Sequence, residues 1–154
     1  MKYLLVVDLQ KEFIKDGASR NIYERCLDYI KHSKDNYMST IALVFENDTD
    51  KNINFERYLG YSDCKNPLPI DFEADRILKH RGYSIEDSFK INKDDEFDVI
   101  GFDTDACVLA TCFKLFDSGC RFNVLKDYCW SSGGLEIHNV ALRIMERQFG
   151  SVVK

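Results

Sequence analysis

Residues 3–7 read YLLVV, an unbroken run of apolar, β-favouring side chains that stops at a charged residue, Asp8. An alternating pattern leaves one face of a strand in water. A continuous run predicts a strand covered on both faces, and such strands belong to parallel sheets with helices above and below. Residues 40–45 (TIALVF) and 97–102 (FDVIGF) repeat the pattern, residues 76–79 (RILK) form a weaker version, and residues 121–125 (RFNVL) give a fifth strand. Helical patterns fall between the runs. Residues 21–36 set Ile22, Cys26, Tyr29 and Ile30 on one face. Residues 105–117 end near Gly119, and residues 134–149 end at Gly150, the position where helices commonly stop. Residues 151–153 read as a final edge strand. The alternation predicts one α/β domain over residues 1–154, a three-layer Rossmann-like fold with a mainly parallel sheet flanked by helices. Residues 46–69 are polar, irregular and carry both prolines, which predicts a long loop with a functional role.

Composition narrows the function classes. Lys plus Arg number 21 against 26 Asp plus Glu, a net charge of −5 with no basic run, which argues against a nucleic-acid partner. No stretch is long enough for a membrane helix. The first residues lack a signal peptide's features, because Asp8 interrupts the apolar run and no small-residue cleavage site follows. A cytoplasmic protein is the expectation. The six cysteines then read as free thiols, mostly small buried hydrophobes, and no CxxC pair suggests a zinc knuckle or a redox couple. No cofactor and no metal are expected.

Parallel sheets bind ligands outside the carboxyl ends of their strands, so strand ends are where reactive residues matter. Asp8 ends the first strand, Lys79 ends the weak one, and Cys107 follows residues 97–102 at the opening of a helix. Their chemistry fits together. A helix N-terminus and a nearby cation both favour a thiolate. A carboxylate within reach can take the thiol proton and later activate water. The turn before Cys107 offers backbone N–H groups for an oxyanion. Each residue also has a plain structural reading: Cys107 as a core thiol, Asp8 as a turn cap and Lys79 as a solvated surface charge.

The segments LLVVDLQKEF, LKHRGYS, GFDTDACVLATCFKLFDSG and VLKDYCWSSGG resemble the isochorismatase-like cysteine hydrolases, a superfamily that includes nicotinamidases and N-carbamoylsarcosine amidohydrolases. The resemblance runs through nearly the whole chain and is strongest at the turn from Thr104 to Val108. It implies a catalytic triad of Asp8, Lys79 and Cys107 and a cis peptide at Phe102–Asp103. It also implies an oxyanion site on the N–H groups of Asp103 and Cys107, and an aromatic, Phe13, lying against a planar substrate. The activity implied is hydrolysis of a small amide or ureido C–N bond through a thioester, by a homodimer or larger homo-oligomer. The alternative is a catalytically weak small-molecule-binding or regulatory member of the same fold. Phe13 fits a pocket wall or the core. Asp103 fits a substrate-facing group or a helix N-terminal charge. Trp130 and residues 58–61 fit a pocket or a subunit interface. The chain departs from nicotinamidases in having no histidine after the second strand, where those enzymes bind a metal. It is also short between Ser84 and the strand at 97–102, where a helix is trimmed. An aspartate at the first strand end also opens haloacid-dehalogenase-type phosphatases, but those need a second Asp where this chain has Gln10, and a receiver domain lacks its phosphoacceptor strand here.

Overall fold

The structure is a computed structural model describing residues 1–154. Five strands, β1 (Lys2–Val7), β2 (Ser39–Phe45), β3 (Arg76–His80), β4 (Glu96–Phe102) and β5 (Arg121–Trp130), form one sheet in the order β3-β2-β1-β4-β5. Every pairing is parallel. The three central apolar runs are buried on both faces, which is why they lack an alternating pattern.

Side-chain alternation divides the sheet into two cores. Leu4, Val6, Ile100 and Phe102 pack with Tyr23, Cys26 and Ile30 of helix α1 (Gly17–Ser33). Leu5, Val7, Leu43, Phe97 and Val99 pack on the opposite face with Val108, Cys112, Leu115 and Met145, carried by the turn after β4, α3 (Leu109–Asp117) and α4 (Leu135–Phe149). This is the three-layer arrangement expected from the sequence. A short helix, α2 (Asn54–Leu59), interrupts the long segment after β2. No helix is long and apolar enough to cross a membrane.

Several boundaries differ from the sequence reading for identifiable reasons. Helix α1 starts at Gly17 rather than residue 21, because Asp16 and Ser19 form a reciprocal capping box. Strand β5 continues through the polar Lys126 and Asp127 to Trp130, since it is an edge strand and one side faces water. Residues 151–153 make only an isolated bridge, Val124 to Val153. The consequential change is one residue long: β3 ends at His80, not Lys79. The connection from β3 to β4 contains no helix, in line with the trimmed segment read from the sequence.

Candidate active site

The strand order reverses between β1 and β4, which is where doubly wound sheets open a crevice. Asp8 leaves the end of β1 with φ +48°, a left-handed conformation that aspartate tolerates better than most residues. Its N–H donates to Leu43 O at 2.9 Å, and its carboxylate is fully buried. Two residues on, the Gln10 side chain clamps the main chain of Phe45, donating to its carbonyl at 3.0 Å and accepting from its N–H at 2.8 Å. The first two strand ends are thereby locked together.

Gly101 sets the spacing on the other side of the crevice. It pairs with Val7 and has φ +124°; a Cβ there would lie 1.9 Å from the Val7 carbonyl oxygen. The Phe102–Asp103 peptide that follows is cis. A single π-type turn, Thr104–Val108, then carries Cys107 before α3 begins. Asp103 accepts from the backbone N–H of Ser132 at 3.0 Å and from its hydroxyl, and Asp105 accepts from the Ser131 hydroxyl at 2.6 Å. Two aspartates thus tie the turn that carries Cys107 to the loop before α4. The N–H of Asp103 donates to no acceptor in the protein.

The residue that completes the cluster is His80. Its Nε2 lies 2.7 Å from Asp8 Oδ1, with both side chains fully buried. Ligating atoms of Asp8, His80 and Cys107 all lie within 4.8 Å of one another. Lys79 does not join them, contrary to the sequence expectation. Its side chain is 38% exposed, and its ammonium pairs with Glu46 at 2.8 Å. The reason is strand geometry. Successive side chains point to opposite faces, so a one-residue shift in where β3 ends exchanges the residue that enters the crevice. His80 shares its face with Leu78 and the core that contains Cys107, and packs edge-on against Phe45 at 5.8 Å between ring centroids. His80 is the residue that sequence reasoning missed in this cluster. Its only signal was its place immediately after the apolar stretch of β3.

Burial pushes the Cys107 thiol well above the usual range, and the Asp8 carboxylate beside it adds to the push. This corrects the expectation of a thiol favoured as thiolate by a helix terminus and a cation. The cation is absent from the cluster, the residue sits on a π-type turn, and the nearest charge is negative. Burial likewise raises the Asp103 carboxyl, with the Ser132 hydrogen bonds opposing it.

A cavity of about 240 Å³ opens onto Cys107, lined by Phe13, Phe45, Phe55, Tyr61, Tyr83 and Asp103 among others. Phe13 is a pocket wall, and α2 and Tyr61 place residues from the long loop over the same space. Tyr58 is exposed, and Trp130 lies away from the cavity, 5.3 Å from the His138 ring. The segment after β2 does not fit the metal that nicotinamidases carry: it has no histidine, and Asn47 there spends its amide on the Tyr61 and Asp63 carbonyls at 3.1 Å.

The profile of the isochorismatase domain matches residues 2–154. The chain belongs to the isochorismatase family. The fold agrees with that of several solved family structures. A pyrazinamidase/nicotinamidase from Streptococcus mutans UA159 superposes with a TM-score of 0.80 at 18% identity, covering 100% of both chains. An isochorismatase-like hydrolase from Alkaliphilus metalliredigens gives 0.76 at 17% identity, covering 99% of this chain and 94% of that one. N-carbamoylsarcosine amidase from Thermoplasma acidophilum gives 0.74 at 20%, covering 99% and 95%. None of the curated proteins compared matches the sequence. Within this isochorismatase fold, the chain presents a histidine where the family resemblance implies a lysine.

Proposed function

We propose that this protein is a cysteine-dependent hydrolase of a small planar amide or ureide, cleaving the C–N bond through a thioester with Asp8, His80 and Cys107. The observation that carries the reading is the buried cluster of these three groups at the floor of an aromatic cavity. Amidases among the structural relatives support the bond type.

The resting thiol is neutral, so the proton must leave as attack begins. Asp8 accepts it on Oδ2, the oxygen that has no other partner, while His80 donates to Oδ1 and holds the carboxylate in line. Cys107 sulfur adds to the carbonyl carbon. The oxyanion takes the N–H groups of Asp103 and Cys107. The C–N bond then breaks, and ammonia or an amine leaves with the proton from Asp8. Asp8 next takes a proton from water, the hydroxide adds to the thioester, and the acid departs as sulfur regains its proton. Phe13 and its aromatic neighbours hold the planar substrate. Asp103, whose two carboxylate oxygens each accept one hydrogen bond from Ser132, presents their remaining lone pairs to substrate donors. Self-association as a homodimer or larger assembly in the cytoplasm completes this reading, and sedimentation equilibrium measures the assembly.

Ammonia release from a panel of small amides and ureides tests the function. Within that assay Lys79→Ala keeps turnover within about twofold, because its ammonium is outside the cluster, whereas His80→Ala loses on the order of 10²-fold or more. The reverse pattern overturns the assignment of His80. The missing cation also favours a second reading, a ligand-binding member without turnover. Thermal stabilisation by amides of the panel with no ammonia released would select it.

A further inference from the structure

The triad pocket holds three good metal ligands and no fixed cation. A lysine ammonium at this place would fill the space with positive charge. The only lysine near it, Lys79, is turned away and bound to Glu46, and an imidazole stands there instead. Replacing an ammonium by an imidazole does two things at once. It removes the charge that repels a cation, and it adds a nitrogen lone pair. Asp8 and His80 have no solvent exposure and Cys107 almost none. Asp8 Oδ2 has no hydrogen-bond partner. A buried polar atom left in that state is costly, and most are satisfied by protein, water or an ion.

We infer that Asp8, His80 and Cys107 bind one thiophilic divalent transition-metal ion, such as Zn²⁺, and that the bound ion blocks Cys107 as a nucleophile. The donor set of one thiolate, one imidazole and one carboxylate suits zinc and its spectroscopic substitute cobalt. Tetrahedral zinc with ordinary bond lengths sets such donor atoms about 3.4–3.6 Å apart. Here they lie within 4.8 Å, and the closest pair, Asp8 and His80, is 2.7 Å apart. Side-chain rotations that open this hydrogen bond by about 0.7 Å and draw Cys107 inward therefore complete the geometry. The thiol proton leaves to bulk water as the sulfur–metal bond forms, and the His80 proton shared with Asp8 relocates from Nε2 to Nδ1, which frees the Nε2 lone pair for the ion. Cys107 is the one ligand that also lines the aromatic cavity, so the ion arrives from that side and its fourth position takes water. Metal binding and hydrolysis use the same sulfur and exclude each other. The inference rests on the geometry of the cluster and not on turnover.

The test uses the full-length, reduced, chelator-stripped protein and Co²⁺. Titration is expected to produce the intense visible bands of tetrahedral cobalt and a near-ultraviolet thiolate-to-cobalt band, both saturating at one equivalent. One equivalent of Zn²⁺ is expected to erase them and to protect Cys107 from iodoacetamide at elevated pH, read by peptide mapping. Cys107→Ser removes the thiolate band, and His80→Ala weakens binding by about tenfold or more. Cys64→Ser, which removes a free buried thiol in the segment after α2, leaves both signals in place. The proposal is overturned if no thiolate band develops, or if the band survives Cys107→Ser and disappears in Cys64→Ser. Protection of Cys107 in the unsubstituted protein decides the matter should a variant fail to fold. Neither readout involves catalysis: a protein that hydrolyses amides but gives no band loses only the metal site, and one that gives the band without hydrolysing amides loses only the amidase reading.

Discussion

Replacing Cys107 by alanine lowers ammonia release from the amide substrate by on the order of 10⁴-fold or more, with little effect on folding. The size of the loss follows from the chemistry. No other group in the cavity is both nucleophilic and aimed at the substrate carbonyl, so the variant keeps only the binding pocket and the oxyanion donors, which retain a small fraction of catalysis on their own. The stability cost is that of one deleted sulfur in a nearly buried site, about 1 kcal/mol. In a chain of this length that moves the thermal midpoint by about 2–4 °C. Paired measurements of ammonia release and thermal unfolding check both halves. Wild-type turnover by the alanine variant rules out the thioester route, and a collapse of the midpoint reassigns Cys107 to the core.

Gly101→Ala is expected to have the largest effect on folding of any single methyl added to this chain. The new Cβ would sit 1.9 Å from Val7 O, 2.8 Å from Val7 C and 2.9 Å from Val7 N, all backbone atoms of the neighbouring strand. It would also hold an alanine at φ +124°. Backbone strain of about 1–3 kcal/mol joins an overpacking cost of about 1–3 kcal/mol. Relative to a typical total of about 5–15 kcal/mol, that is a large share. The midpoint falls by on the order of 10 °C, and turnover falls with it because β1 and β4 carry Asp8 and Cys107. Gly17→Ala is the control, since a Cβ there meets nothing within 4 Å. Equal midpoints for the two variants would show that the β1–β4 contact yields more easily than this geometry implies.

The architecture was legible because it depends on side-chain patterns that act locally. The runs YLLVV, TIALVF and FDVIGF are each apolar on both faces, and only a parallel sheet sandwiched between helices can bury them. The positions of Asp8 and Cys107 at strand ends on one edge of the sheet follow from the same patterns; their meeting where the strand order reverses comes from the tertiary arrangement. The third member of the cluster was not legible in this way. RILK and RILKH differ by one residue, and nothing in the local composition says which is the strand. That choice is made by the register of β3 on β2, which pairs His80 with Phe45. The aromatic wall was legible only in part: Phe13 and residues 58–61 were pocket candidates, whereas Phe45, Phe55 and Tyr83 reach the cavity only through contacts distant in sequence.

The sequence by itself determined an α/β fold of the isochorismatase type with a carboxylate and a thiol at strand ends, since burial patterns and turn residues are properties of short segments. Only the tertiary structure decided that histidine 80, not lysine 79, faces them. A strand's side chains alternate, so the identity of the buried partner depends on a register fixed by hydrogen bonds to a neighbour more than thirty residues away. That single residue determines the charge of the cluster and, with it, the chemistry it supports.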